Sequence, residues 1–199
     1  IVDPESGRQP LFAPDKKQVL AVNGEIYNHK DIRATTQQYQ YQTGSDCEVI
    51  LALYREWKAD PKRPSLTSLL ERLSGIFAFA LYDVEDGSFL VARDPIGVIP
   101  LYIGYDHDGK VYVASELKAL EGQCERYEQF LPGHYYWSKE ADKGMQRWYT
   151  RAWMEGQTRP KSELSYGQAV EDIRQNLMGA VKRQLMSDVP YGVLVSGGL

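Results

Sequence analysis

Four short segments carry the residues that could do chemistry. In the first, Asn23-Gly24-Glu25-Ile26-Tyr27-Asn28-His29 follows the apolar run Val19-Leu20-Ala21-Val22. An Asn amide and an unhindered Gly N–H at the end of a buried strand are two donors that can hold a developing oxyanion, and losing one such donor costs on the order of 3 kcal/mol in a transition state. Glycine permits the close approach. The same dipeptide also makes a common hairpin turn. In the second, Gly44-Ser45-Asp46-Cys47-Glu48 has the Ser-x-x-Glu spacing of a helix capping box. The Asp46 carboxylate at a helix start could meet an ammonium group; Ser45 and Asp46 could equally serve as caps, and the two roles can coexist. The third, Arg93-Asp94-Pro95-Ile96-Gly97-Val98-Ile99-Pro100-Leu101-Tyr102, is a charged turn between strands with its backbone held by Pro and Gly, and it reads as structural. The fourth is Val193-Leu194-Val195-Ser196-Gly197-Gly198, a strand-like run into small residues whose N–H groups and hydroxyl could cradle a phosphate. It is not a Walker A loop.

The elements that must position these groups follow from periodicity. Residues 19–22 predict a short buried strand stopped by Asn23-Gly24. A short helix is expected over residues 31–38. Val49, Ile50, Leu53 and Tyr54 recur at helical spacing, predicting a helix from the Ser45 cap to before Pro61. Residues 66–73 read as another short helix. Residues 77–82 and 88–92 form a hairpin about Asp86-Gly87, and residues 100–105 and 110–114 a second about Asp108-Gly109. A helical turn over 115–120 and strands at 134–138 and 146–149 complete this part. From Thr150 the texture changes. Residues 151–162 read as a linker and residues 163–186 as a long amphipathic helix with Leu164, Ala169, Ile173, Leu177, Val181 and Leu185 on one side. Pro190 ends it, and residues 191–195 predict a buried strand. The first 150 residues are therefore α+β with antiparallel sheets, and residues 163–199 the entrance to an α/β domain.

The chain has 199 residues, 43% hydrophobic and 25% charged, enough for a core without disulfides. A net charge of -4 disfavours nucleic acid or an anionic membrane as main partner. No apolar run approaches the roughly 20 residues that span a bilayer. Cys47 and Cys124 make neither a disulfide framework nor a zinc motif, and a reducing, cytoplasmic setting fits them. The opening Ile1 and the closing glycine turn both look like cuts in a longer chain.

Taken together, the segments resemble glutamine-hydrolysing asparagine synthetases. Asn23 to His29 is similar to the glutamine-binding segment of N-terminal-nucleophile (class II) amidotransferases. Ser45 to Glu48 resembles that family's Ser-Asp-x-Glu motif, whose Asp, here Asp46, contacts the glutamine α-amino group. Arg93 to Tyr102 looks like the Arg-Asp-x-x-Gly-x-x-Pro-Leu-Tyr marker, its Val98-Ile99 resembling the asparagine synthetase version. The terminal run looks like the pyrophosphate loop of ATP pyrophosphatases.

The resemblance implies a four-layer αββα sandwich of antiparallel sheets over residues 1–150, a linker over 151–162, and the first helix and strand of an ATP-pyrophosphatase domain over 163–199. It implies that Asn23 and Gly24 form the oxyanion hole, that Gly24, Glu25 and Asp46 hold the amino-acid end of glutamine, and that Leu194, Ser196, Gly197 and Gly198 meet the nucleotide. The implied substrates are glutamine, aspartate and ATP, with Mg2+, and homodimers occur in such families. The family's nucleophile is an N-terminal Cys whose own α-amino group is the base. By the family's layout that Cys and an Arg for the glutamine carboxylate precede Ile1, so the 199-residue chain alone is expected to be inactive. A β-lactam-synthetase-like or sugar-pathway amidotransferase, acting on another carboxylate, would share this half. A non-catalytic amidotransferase-like protein is the reading of a different class.

Overall fold

A computed structural model describes residues 2–62, 64–156, 165–195 and 197. Two antiparallel sheets stack on each other. The larger has six strands in the order β1-β2-β3-β4-β8-β9: β1 (Leu11–Phe12), β2 (Gln18–Ile26), β3 (Gly75–Asp83), β4 (Ser88–Arg93), β8 (His134–Trp137) and β9 (Gln146–Arg147). The smaller has the order β6-β5-β7, from β5 (Tyr102–Tyr105), β6 (Val111–Ala114) and β7 (Arg126–Gln129). Helices α1 (His29–Thr35), α2 (Val49–Ala59) and α3 (Leu66–Leu70) cover the outer face of the large sheet.

The strand pleat sorts the side chains into two cores. Leu20, Val22 and Ile26 of β2, Phe77, Phe79 and Leu81 of β3 and Leu90 of β4 face the helices, where they meet Ile50, Leu53 and Leu70. Ala78, Val91 and Tyr136 face the second sheet and pack on Leu101, Ile103 and Phe130. Both faces of β3 and β4 are covered, which is why their sequences are almost unbroken apolar runs. The layers run helix, sheet, sheet, an α+β arrangement of antiparallel sheets with the two hairpins where the Asp-Gly pairs place them.

Several expectations are revised. Asn23-Gly24 does not end a strand. It lies inside β2, Asn23 opposite Ala78 and Gly24 opposite Phe77. β7 escaped detection because Arg126-Tyr127-Glu128-Gln129 is exposed at every position and carries no apolar alternation. The capping box forms only in part: the Ser45 side chain accepts from the Cys47 N–H, while Glu48 turns elsewhere. α4 (Tyr166–Gln184) confirms the long helix, with residues 163–164 outside the described residues. Its apolar stripe is exposed, Ile173 at 67% and Leu177 at 63%. Residues 191–195 are not a strand. No described strand lies beside them to complete a ladder, and Leu194 is fully exposed.

Candidate functional site

The site is built on the far end of β2. Gly24 has φ of 144°, against about −140° in a regular antiparallel strand, a backbone that only glycine adopts freely, while the register with β3 runs on through it. No other residue fits. A Cβ there would lie 2.1 Å from the Ile76 carbonyl oxygen and 2.6 Å from the Phe77 Cα. The same crowding recurs on the partner strand, where a Cβ on Gly75 would lie 2.1 Å from the Glu25 oxygen. Paired glycines let β2 and β3 approach closely at this point.

Beyond β1, the outer edge of β2 is served by side chains in place of a strand. The Gln9 amide accepts from the Val22 N–H at 2.7 Å and donates to the Val22 carbonyl at 2.5 Å. The Cys47 thiol donates to the Gly24 carbonyl at 3.6 Å. The Asp46 carboxylate accepts from the Ile26 N–H at 2.7 Å. Asp46 opens a 3-10 turn, Asp46–Glu48, that runs into α2, and it is buried. Asn23 is exposed, and its amide donates across to the Ser115 hydroxyl at 3.5 Å, linking β2 to the chain just after β6.

Asn23, Gly24, Glu25 and Asp46 thus converge on one end of β2. The nucleotide-loop residues do not join them. Leu194 lies exposed in an extended segment, and Gly197 has φ of 70°, the left-handed backbone a tight glycine turn requires. Ser196 and Gly198 lie outside the described residues.

Cys47 is no nucleophile. Burial, then the adjacent Asp46 carboxylate, pushes its thiol far above the ordinary range, so the reactive thiolate is suppressed. His29, buried on α1, has its imidazole pKa lowered by desolvation, with Asp46 acting the other way. Its Nδ1 is a buried nitrogen without a hydrogen-bond partner among the described residues.

Three charged residues shape the approach to Asp46: Arg33 and Asp3, for which the sequence suggests no site role, and Glu48, expected only as the far half of a capping box. Glu48 Oε1 accepts from the Gln42 N–H at 2.7 Å, and Oε2 accepts from the N–H and hydroxyl of Thr43 at 2.8 and 2.7 Å. Arg33 donates to the Thr43 and Ser45 carbonyls at 3.0 and 2.8 Å and stacks 3.9 Å over the Tyr41 ring. The Asp3 carboxylate accepts from the Gly44 N–H at 2.6 Å. No local pattern marks such contacts, because the partners lie on separate elements.

The marker segment proves structural in its contacts. The buried Asp94 carboxylate accepts from the N–H groups of Ile96, Gly97, Val98 and Ile99, and from Phe77 of β3. The buried Arg93 guanidinium donates to the Ile99, Phe130 and Gly97 carbonyls at 2.7, 2.6 and 2.8 Å. Together they lock the turn that leads from the large sheet into the small one and back up the backbone of Phe77, opposite Gly24.

Comparison with known proteins places this geometry. Residues 1–130 match the glutamine amidotransferase domain family, and residues 172–199 match the asparagine synthase family. Asparagine synthetase B [glutamine-hydrolyzing] of Escherichia coli K12 is 49% identical over 200 residues, covering all of this chain and 34% of that protein. Asparagine synthetase [glutamine-hydrolyzing] 1 of Arabidopsis thaliana is 46% identical over 201 residues, covering all of this chain and 32% of that protein. The chain spans about a third of the length of these relatives. Among solved structures, the glutamine phosphoribosylpyrophosphate amidotransferase from B. subtilis, complexed with ADP and GMP, superposes with a TM-score of 0.56 at 29% identity, over 72% of this chain and 32% of that one. The structure of the allosteric regulatory enzyme of purine biosynthesis gives 0.57, also at 29% identity, over 73% of this chain and 32% of that one. A match to the family model over residues 1–130, with the fold shared by a solved amidotransferase, shows that the chain belongs to the glutamine amidotransferase domain family.

Proposed function

We propose that this chain supplies the glutamine-binding part of an asparagine synthetase that releases ammonia from glutamine and uses ATP to amidate aspartate. The observation that carries this reading is the convergence of Asn23, Gly24 and Asp46 on one end of β2, in a chain similar along its whole length to glutamine-hydrolysing asparagine synthetases.

The residues divide the work by charge. As the glutamine amide carbon becomes tetrahedral, its oxygen gains negative charge. The Asn23 amide and the Gly24 N–H are the two donors for it. Asp46, with one oxygen fixed by the Ile26 N–H, offers a carboxylate to the α-ammonium of glutamine, and Gly24 and Glu25 complete that end of the pocket. The nucleophile is the family's N-terminal Cys; Cys47 is shut in against Gly24 and Cys124 is not part of this end of β2.

Residues 1–150 act as the amidotransferase domain, 151–162 as a linker and 163–199 as the first part of the ATP-binding domain. In that part the left-handed Gly197 fits a phosphate-binding turn, and Leu194, Ser196 and Gly198 are the other residues proposed to meet the nucleotide. ATP with Mg2+ supplies the activation of aspartate. Among the described residues the grouping spaced to hold a metal ion is Asp106-His107-Asp108, in the β5–β6 turn, where Asp106 accepts from the N–H groups of Asp108 and Lys110; it is not part of the proposed nucleotide loop. The two free cysteines are in keeping with a cytoplasmic enzyme, which we propose together with a homodimeric assembly; among the described residues no helix is long and apolar enough to cross a membrane. The test uses protein made from the complete reading frame, given glutamine, ATP and aspartate. Asparagine and AMP are expected; no AMP in the presence of aspartate would overturn the assignment, and AMP with another carboxylate would redirect it.

A further inference from the structure

The segment 42–45, which delivers Asp46, has no secondary structure of its own. Its backbone polar groups would be free to move were they not held, and they are held by charge. Glu48, 1% exposed, accepts from the N–H groups of Gln42 and Thr43 and from the Thr43 hydroxyl. Arg33, approaching from α1, donates to the Thr43 and Ser45 carbonyls, and its guanidinium plane is fixed by the Tyr41 ring 3.9 Å away. The Tyr41 hydroxyl is in turn paired with Thr36 Oγ1 at 2.6 Å, back on the end of α1. Asp3 accepts from the Gly44 N–H between them. Bonds to ionised groups are among the stronger ones available; one guanidinium nitrogen, Nη2, serves both carbonyls while the flat group stacks on the Tyr41 ring as an ammonium cannot.

We infer that Glu48 and Arg33 are positioning residues for glutamine recognition: together they fix the 42–45 segment so that the Asp46 carboxylate stands where the α-ammonium of glutamine arrives. Neither touches the substrate; both act through Asp46. The inference rests on the function proposed above and adds to it a cause for the pocket's preorganisation. A mobile Asp46 would have to be ordered each time glutamine bound, and that cost would be taken from affinity.

The consequence is a separation of KM from kcat. Binding through the ammonium end is made equally in ground and transition states, so loosening it raises KM for glutamine and leaves kcat nearly constant. Loss of a bond to a charged group corresponds to roughly a tenfold change or more in affinity. The experiment takes protein from the complete reading frame and measures steady-state ammonia release against glutamine concentration for wild type, Asp46→Asn, Glu48→Gln, Arg33→Ala and Arg33→Lys. The expected result is a KM rise of about tenfold or more for Glu48→Gln and Arg33→Ala, a smaller rise for Arg33→Lys, and kcat within about threefold of wild type. A role in stability alone would reduce the active fraction, and so apparent kcat, at unchanged KM; that outcome overturns the inference. Unchanged KM in both positions while Asp46→Asn raises it overturns the inference and leaves the function standing. A wild-type protein that hydrolyses no glutamine overturns both. If Glu48→Gln does not accumulate as folded protein, the graded pair Arg33→Lys and Arg33→Ala carries the same comparison.

Discussion

The Asp46 carboxylate accepts a hydrogen bond from the Ile26 N–H at 2.7 Å, joining the turn before α2 to the last residue of β2. This bond sets the distance between the two halves of the proposed glutamine site, the donors at Asn23 and Gly24 and the anion at residue 46. Asp46→Asn keeps an oxygen for Ile26 and removes the charge. In the complete protein it should raise KM for glutamine by on the order of tenfold to a hundredfold, while the urea unfolding midpoint shifts little. A KM within error of wild type would remove Asp46 from the site.

Gly24→Ala tests the close approach of β2 to β3. The added Cβ meets the Ile76 oxygen at 2.1 Å and must also adopt φ of 144°, so the strands must separate. A loss of about 3 kcal/mol or more is expected in equilibrium denaturation. A stability equal to wild type would show that this part of β2 has room the geometry denies it.

Asp94→Asn should destabilise without touching glutamine. An amide presents an NH2 group to a ring of N–H donors from Ile96, Gly97, Val98, Ile99 and Phe77, and it leaves buried groups unpaired. The cost should be about 3 kcal/mol in a urea titration. A change in KM at full stability would instead give the marker segment a direct role.

His29 predicts a pH dependence with a definite sign. Desolvation lowers its pKa below the ordinary 6.5, with the Asp46 and Asp188 carboxylates opposing and Arg33 and Lys30 assisting. The unfolded chain therefore binds a proton more readily than the folded one. The stability this group contributes is fully present above pH 6.5 and is lost as the pH falls through the lowered folded value. His29→Gln should flatten that part of the profile. Urea midpoints measured across the acid range test this, and parallel curves for variant and wild type would count against it.

Much of the frame was legible in the sequence because its signals are local. The apolar runs of β3 and β4 with Asp86-Gly87 between them, the helical spacing of Val49, Ile50, Leu53 and Tyr54, and the long amphipathic α4 each follow from the period of a single element. The motif residues Asn23, Gly24, Glu25 and Asp46 were also visible, as residue types suited to an oxyanion and an ammonium.

What only the tertiary structure decided depends on neighbours. Asn23-Gly24 has the local chemistry of a turn, yet it stays in β2 because Ala78 and Phe77 lie opposite and Gly75 gives room for the crossing. Arg126 to Gln129 becomes a strand because β5 offers it a ladder, whereas residues 191–195, apolar and strand-like, remain unpaired because no described strand stands beside them. Glu48 looked like half of a capping box and instead holds Gln42 and Thr43, together with Arg33 from another helix. Periodicity reports which face of an element is apolar. It does not report which backbone groups a buried charge will find, since that is settled only when separate elements pack and every buried donor and acceptor must be matched.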